Sequence, residues 1–236
     1  MIPSNKLSGV GYSALELRRA CISLVIKHRI SAKRLLDIGG GTGEFTKVIA
    51  NLSKAKDVFI VDVSEKALSI ALKLGFKTLL IDVSAEKLPF QDETFDMVLA
   101  IEVIEHLINP DHCIKECRRV LKSGGILLLF TPNLAWWVNR LVMLFGYQPY
   151  YSEPSTEINV GKFYRRVQPY RTSGHIRLFT FKALSDFLRY YGFKVIDYIG
   201  SPGDHRSKAF RVLDRILSRR ASLSADIVVL ATKMAR

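Results

Sequence analysis

The sequence predicts a doubly wound α/β fold on a mainly parallel sheet. Short apolar runs containing or closed by an acid, Leu35-Leu36-Asp37-Ile38, Val58-Phe59-Ile60-Val61-Asp62 and Leu79-Leu80-Ile81-Asp82, alternate with stretches of helical periodicity. That rhythm produces βαβ units. The run Ile126-Leu127-Leu128-Leu129-Phe130 is apolar throughout, as in a strand covered on both faces. Between the first strand and its helix, glycines stand at every second position, Gly39, Gly41 and Gly43. Glycine permits positive φ in a tight turn and leaves no Cβ between backbone and ligand. Such a turn at the carboxyl end of a first strand is a nucleotide-type cradle.

Residues 13–29 form an amphipathic helix, with Leu15, Ala20, Ile22, Leu24 and Val25 among its apolar positions. Lys33 and Arg34 lead into strand one at 35–38, and a helix follows the glycines at 44–52. Strand two covers 57–62. Ser64 is placed to cap a helix that ends at Gly75. Strand three covers 78–82, and Asp92-Glu93-Thr94 turns the chain into strand four at 95–100. Asp111 is expected to cap a helix through Leu121, stopped by Gly124-Gly125 before strand five at 126–130. The rhythm then breaks. Residues 132–176 are irregular, with Trp136, Trp137 and seven further Phe/Tyr residues. Thr180 caps a helix ended by Gly192; strand six (193–199), a basic amphipathic helix (208–220) and a last strand (226–232) follow. No repeat, low-complexity tract or linker divides the chain, so 1–236 reads as a single domain with an insertion at about 132–176.

A chain of 236 residues with 48% apolar residues buries its own core and is not disordered. Cys21, Cys113 and Cys117 form no CxxC pair, which argues against a zinc cage and for buried small residues in a reducing, cytoplasmic setting. Residues 1–10 lack a basic cluster followed by an apolar run, so no secretory signal is expected. No stretch reaches the ~18 apolar residues that span a bilayer. The net charge of +13 is uneven: residues 162–220 hold 14 Lys/Arg against 4 Asp/Glu. That surface suits an anionic partner, such as a membrane surface, phosphorylated substrate or nucleic acid; a solvated basic face is the other reading.

The cradle does not fit a dinucleotide. That turn needs G-x-G-x-x-G/A, and Glu44 or Thr46 stands at the last position. The pattern is D-x-G-x-G-x-G, and Asp37 repels a pyrophosphate but suits a cation. With this motif the sequence resembles the class I S-adenosylmethionine-dependent methyltransferases, over residues 33–133 and more loosely from His175 onward. The resemblance implies a Rossmann-like, seven-stranded, mostly parallel sheet whose last strand is antiparallel. It implies S-adenosyl-L-methionine as cofactor, with Asp37, Gly39, Gly40, Gly41 and Gly43 around the methionine portion. Asp62, 23 residues after Gly39, matches the acid that accepts from both ribose hydroxyls, with Val63 beside it. Asp82 and Val83 match the pair beside the adenine. The runs Leu88-Pro89-Phe90-Gln91-Asp92-Glu93-Thr94-Phe95-Asp96, Arg119-Val120-Leu121-Lys122-Ser123-Gly124-Gly125 and Thr131-Pro132-Asn133 are close to the family pattern.

After strand four, Glu102-Val103-Ile104-Glu105-His106 resembles a subset of O-methyltransferases that includes ubiquinone-pathway enzymes and ribose methyltransferases of small-RNA ends. Some of these hold a divalent metal with this motif and a later histidine, here His175. The same residues have a metal-free reading: Glu102 contacts the cofactor, Glu105 is a solvated helix charge, and His106 is a base. No metal is assigned. His106 and His175 are the catalytic candidates.

In the insertion, Trp136, Trp137, Leu141, Val142, Leu144 and Phe145 can form one apolar face around Asn139 and Arg140. It is a lid or membrane-resting helix, or a stripe packed on the sheet. Tyr164, Arg165, Arg166, Tyr170 and Arg171 interleave aromatics and cations. In 208–220, Phe210, Leu213, Ile216 and Leu217 are expected to cover a sheet face while Arg211, Arg215, Arg219 and Arg220 face water. The expected function is S-adenosylmethionine-dependent methyl transfer, to oxygen on a small molecule, lipid or glycan. The alternatives are RNA methylation through the basic C-terminal third, with nucleic acid the weaker partner, and a non-catalytic cofactor-binding scaffold. The expected location is cytoplasmic or membrane-peripheral.

Overall fold

The computed structural model describes residues 12–163, 174–204 and 207–235. A seven-stranded sheet in the order β3-β2-β1-β4-β5-β7-β6 runs through it. β1 (Arg34–Ile38) is central, pairing in parallel with β2 (Asp57–Asp62) and β4 (Phe95–Ile101). β3 (Lys77–Leu80) extends the sheet beyond β2, and β5 (Leu121–Pro132) beyond β4, both in parallel. β7 (Asp226–Lys233) inserts antiparallel between β5 and β6 (Phe193–Ser201). The expected seven strands with an antiparallel last strand are therefore present.

Alternation of side chains along the strands feeds two cores. On one face Leu36, Ile38, Val98, Leu127 and Leu129 pack with α4 (Pro110–Val120) and α6 (Phe181–Tyr190). On the other, Leu35, Ile60, Met97, Leu99 and Leu128 pack with α1 (Tyr12–Lys27), α2 (Glu44–Ser53) and α3 (Glu65–Lys73). Each wholly buried Leu or Ile contributes roughly 1.5–3 kcal/mol over leaving it in water. Cys113 and Cys117 are free and sit inside the first core, where their one-turn spacing puts them.

Local signals set most boundaries. Ser64 caps α3 by accepting from the Ala67 amide, and Thr180 caps α6 by accepting from the Ala183 amide. Three boundaries differ from expectation. α4 is capped by Asn109, whose Oδ1 accepts from the His112 amide at 3.0 Å, and not by Asp111. Pro110 takes the first helical position, which has no use for an N–H, so the cap falls one residue before it. Gly124-Gly125 do not separate helix from strand. The chain passes directly from Val120 into β5, with Gly124 at φ 74 inside it, because Leu121 already pairs with Phe95. β3 stops at Leu80, so Asp82 stands in the turn after the strand and does not close it.

Among the described residues the insertion supplies one helix, α5 (Trp137–Leu144), near α7 (Lys208–Leu217). The expected apolar face of α5 is split. Trp136 and Val142 are buried, Leu141, Leu144 and Phe145 are exposed, and polar Asn139 is wholly buried. Asn139 is inside because its amide closes the loop: Nδ2 donates to the Leu134 carbonyl at 3.0 Å and Oδ1 accepts from the Tyr150 amide at 2.8 Å. α7 is likewise turned from its expected pose. Asp214 is buried and accepts from the indoles of Trp136 and Trp137 at 2.9 and 2.6 Å. Leu213 and Ile216 are left outside. Tyr164, Arg165, Arg166, Tyr170 and Arg171 lie outside the described residues.

Candidate cofactor and acceptor site

The carboxyl edge of the parallel strands carries the site. β1 ends at Ile38, and the Gly39 amide donates to the Val61 carbonyl at 2.7 Å, turning the chain along the edge of β2. Gly39, Gly41 and Gly43 have φ of 66, 54 and 77°. A Cβ on Gly43 would stand 2.8 Å from Ile60 and Phe76, and one on Gly39 would run into Val103. A Cβ on Gly41 would meet nothing within 4 Å, so only its backbone angle demands glycine there. On Gly40 it would strike Asp37 at 2.8 Å. The turn is thus packed from below and open at Gly41. α2 begins at once, with no side chain capping it. Its leading N–H groups suit a carboxylate such as that of a methionine portion.

Asp37 lies under this turn, buried, and accepts from the Thr46 hydroxyl at 2.6 Å. Burial pushes its carboxyl up to about 7 against the pull of Thr46, and Asp62 adds to the rise. Asp62 reaches the turn from β2. One oxygen accepts from the Gly41 amide at 2.9 Å and the other from the Ser64 amide at 2.9 Å. Val63, next to it, is 69% exposed. Asp82 follows β3, accepts from the Ser84 amide at 2.8 Å, and is exposed beside buried Val83. Asp37, Asp62 and Asp82 therefore stand at or beyond the carboxyl ends of three neighbouring strands, with the glycine turn among them.

The loop after β4 forms the other wall. Glu102 takes φ 57, and desolvation raises its carboxyl against the opposing pull of Arg18 and His106. A short 3₁₀ turn, Ile104–His106, follows. Here the reading of Glu105 as a solvated charge is overturned. Glu105 is 1% exposed, its Oε2 has no hydrogen-bond partner, and burial lifts its carboxyl to about 8. Its backbone carbonyl accepts from the amides of Ile176 and Arg177 at 2.7 and 2.9 Å. That clasp holds the end of the insertion against the loop after β4.

The clasp brings His175 to His106, with ring centroids 4.9 Å apart. His106 Nδ1 lies 3.2 Å from the Gly174 carbonyl, and His175 Nδ1 lies 3.1 Å from the Tyr151 carbonyl. A carbonyl only accepts, so in neutral rings both Nδ1 atoms carry the proton and both Nε2 lone pairs remain free. Desolvation lowers the His175 pKa, keeping that ring neutral at physiological pH. Glu153 accepts from the amides of Gly174 and His175, and Lys162 donates to the carbonyls of Pro149 and Ser152, so the insertion holds this corner from both sides. Donor atoms of Glu105, His106 and His175 lie within 4.8 Å of one another, a set of two imidazoles and one carboxylate. Glu102 is not part of that group. The sequence named Glu105 as a possible metal ligand beside His106 and His175 but not its burial; the signal for that was its place between Ile104 and His106, in a loop held at both ends.

A glycine turn at the carboxyl end of β1, acids at the end of β2 and after β3, and the sheet order 3-2-1-4-5-7-6 are the arrangement shared by class I S-adenosylmethionine-dependent methyltransferases. Residues 36–129 match the methyltransferase domain family, and the chain carries a domain of that class with S-adenosyl-L-methionine as its cofactor. The chain is 30% identical over 109 residues to a ubiquinone/menaquinone biosynthesis C-methyltransferase of Cupriavidus metallidurans, covering 44% of this chain and 45% of that one. It is 32% identical over 112 residues to a ubiquinone biosynthesis O-methyltransferase of Dechloromonas aromatica, covering 44% and 46%. It thus aligns with less than half the length of each of these curated relatives. Among solved structures, an S-adenosylmethionine-dependent methyltransferase of Thermotoga maritima, described as a possible histamine N-methyltransferase, superposes with a TM-score of 0.62 at 25% identity, over 93% of this chain and 92% of that one.

Proposed function

We propose that this chain transfers the methyl group of S-adenosylmethionine to a hydroxyl oxygen of a small molecule, lipid or glycan. The observation that carries the reading is the His106–His175 pair, with free Nε2 atoms, where the end of the insertion meets the loop after β4. The acceptor hydroxyl gives its proton to one Nε2. Its oxygen forms the new bond to the methyl carbon as the carbon–sulfur bond breaks, and S-adenosylhomocysteine leaves. Holding oxygen, methyl and sulfur in line accounts for much of the acceleration, and the base adds about 10²–10⁴-fold. Asp37, Gly39, Gly40, Gly41 and Gly43 shape the methionine end of the cradle, Asp62 and Val63 the ribose, and Asp82 and Val83 the adenine. Glu105, His106 and His175 also fit a divalent ion, which would lower the pKa of a bound hydroxyl.

Carbon is the second reading, favoured by the C-methyltransferase relative. A hydroxylated ring deprotonated by the same base is nucleophilic at carbon as well as oxygen. Incubating the protein with labelled S-adenosylmethionine and a lipid and metabolite extract, followed by mass spectrometry, tests both. A labelled product whose methyl is released by ether cleavage supports oxygen. A methyl that survives cleavage moves the reaction to carbon. No labelled product in any extract, from protein that binds the cofactor, removes the proposal.

A further inference from the structure

The insertion helix and the basic helix meet in a way that neither cofactor nor acceptor chemistry requires. The Trp137 ring stacks on Phe210 at 5.6 Å, and both indoles of the Trp136-Trp137 pair donate to Asp214. The Trp137 amide donates to the Leu223 carbonyl at 3.1 Å, and Arg140 Nη2 donates to the Ser222 carbonyl at 2.7 Å. α5 and α7 are thus fastened to each other, and each turns apolar side chains outward. On α5 Leu141, Leu144 and Phe145 are 46, 78 and 76% exposed; on α7 Val212, Leu213 and Ile216 are 61, 43 and 53% exposed. Their spacings, i to i+3 and i+4, make each set a single stripe on its helix.

Around the α7 stripe the charge is one-sided. Residues 206–220 contain six Lys/Arg and one acid, Asp214, which is buried and committed to the indoles. Lys208 and Arg215 share the helical flank beside the Val212–Ile216 stripe, with Arg215 also reaching Glu16 at 3.3 Å. Lys and Arg lay their carbon stems along apolar surface while their charges reach outward. Aliphatic side chains bordered by cations are the arrangement that seats a helix at the headgroup level of a bilayer.

We propose that α5 and α7 form a docking surface for an anionic lipid bilayer. The apolar stripes enter the headgroup–acyl boundary, and the basic flank meets anionic headgroups. Charge complementarity selects this occupant. A second copy of the chain would set the same basic flank against itself, and like charges across an interface are unfavourable. Nucleic acid would answer the cations but leave the apolar stripes in water. The surface also adjoins the acceptor side, since Trp136 packs on Tyr151 and Tyr151 on His175. The proposal stands apart from methyl transfer, because binding to vesicles needs no turnover.

Sedimentation of the full chain with vesicles of phosphatidylcholine, or of phosphatidylcholine mixed with phosphatidylglycerol, reads the interaction directly. Partitioning onto the mixed vesicles should be at least about tenfold stronger and should weaken with added salt. The Leu144→Glu/Phe145→Glu variant should lose that binding about tenfold while its affinity for S-adenosylhomocysteine, which reports folding, is unchanged. A control, Leu72→Glu, replaces a leucine on α3 that is also well exposed, at 61%, and should bind vesicles like the parent. Equal vesicle binding by the α5 variant and the parent overturns the proposal. So does a dimer that the α5 variant abolishes, without vesicle binding, which would make the surface an interface between copies. Single-stranded RNA binding with no vesicle binding would equally overturn it.

Discussion

His106 and His175 stand with ring centroids 4.9 Å apart, joined through the clasp of the Glu105 carbonyl on Ile176 and Arg177. The pair exists only because the insertion returns to the loop after β4. If it supplies the base, His175→Ala should lower kcat about 10²–10⁴-fold and leave S-adenosylhomocysteine affinity within about twofold. Because burial lowers the His175 pKa below its ordinary 6.5, its base form persists into acid. Activity should fall on acidification only below pH 6.5. Steady-state kinetics and calorimetry over pH check both; a kcat unaffected by the substitution would dismiss His175 as base.

Asp62 ties the glycine turn to β2 through the Gly41 amide, and we assign it to the ribose. Asp62→Ala should weaken both S-adenosylmethionine and S-adenosylhomocysteine by roughly 10–100-fold, the scale of a lost charge-assisted hydrogen bond. Isothermal titration measures it. An unchanged affinity would refute the ribose assignment.

Gly41 and Gly43 separate backbone strain from crowding. Gly41→Ala adds only the left-handed backbone penalty, about 1–2 kcal/mol, hence a fall of roughly 2–8 °C in Tm. Gly43→Ala adds contact with Ile60 and Phe76 at 2.8 Å and should cost a further 1–3 kcal/mol or so. Thermal unfolding of the two variants should rank them in that order.

Asp37 has a pKa raised from 3.8 to about 7 in the folded protein, so between those values the native state holds a proton that the unfolded chain has released. Its contribution therefore makes stability fall as pH rises from about 4 to 7. Asp37→Asn keeps an oxygen acceptor for Thr46 and should flatten that part of the curve. Urea unfolding at several pH values is the measurement, and an identical pH slope in the variant would count against a raised Asp37.

Asp214 serves two indole N–H groups and the Gly203 amide, the last at 2.7 Å. Asp214→Ala leaves these donors without an acceptor, at about 1–3 kcal/mol for each one that stays buried. Asp214→Asn retains an acceptor oxygen and should lose less. Chemical denaturation distinguishes them. If both variants match the parent, Asp214 is not the anchor of α5 and α7.

Most of the sheet was legible in the chain, because a strand buried on both faces must be apolar over its whole length. Leu35-Leu36 and Ile126 to Phe130 therefore announced themselves, as did the helix caps Ser64 and Thr180. The cap at Asn109 was obscured by Asp111, an equally competent acceptor two residues on, and Pro110 decided between them. The orientations of α5 and α7 were not legible. Helical spacing names the apolar positions, but hydrogen bonding of Asn139 within its loop and of Asp214 to indoles far away in the chain chose which of them point inward.

The D-x-G-x-G-x-G run from Asp37 to Gly43, with Asp62 and Asp82 downstream, determined from sequence alone the glycine turn and the acids at the carboxyl edge of β1, β2 and β3. Those residues sit within single βαβ steps, where local geometry fixes what each one faces. The wall opposite, Glu105 with His106 and His175, was nameable from the Glu102–His106 motif and the later His175, but the burial of Glu105 and the meeting of the two rings came only from the tertiary structure. Burial is a property of what surrounds a residue. Glu105 is a hydrophilic letter in a loop until the returning insertion covers it, removes its water and lifts its carboxyl to about 8.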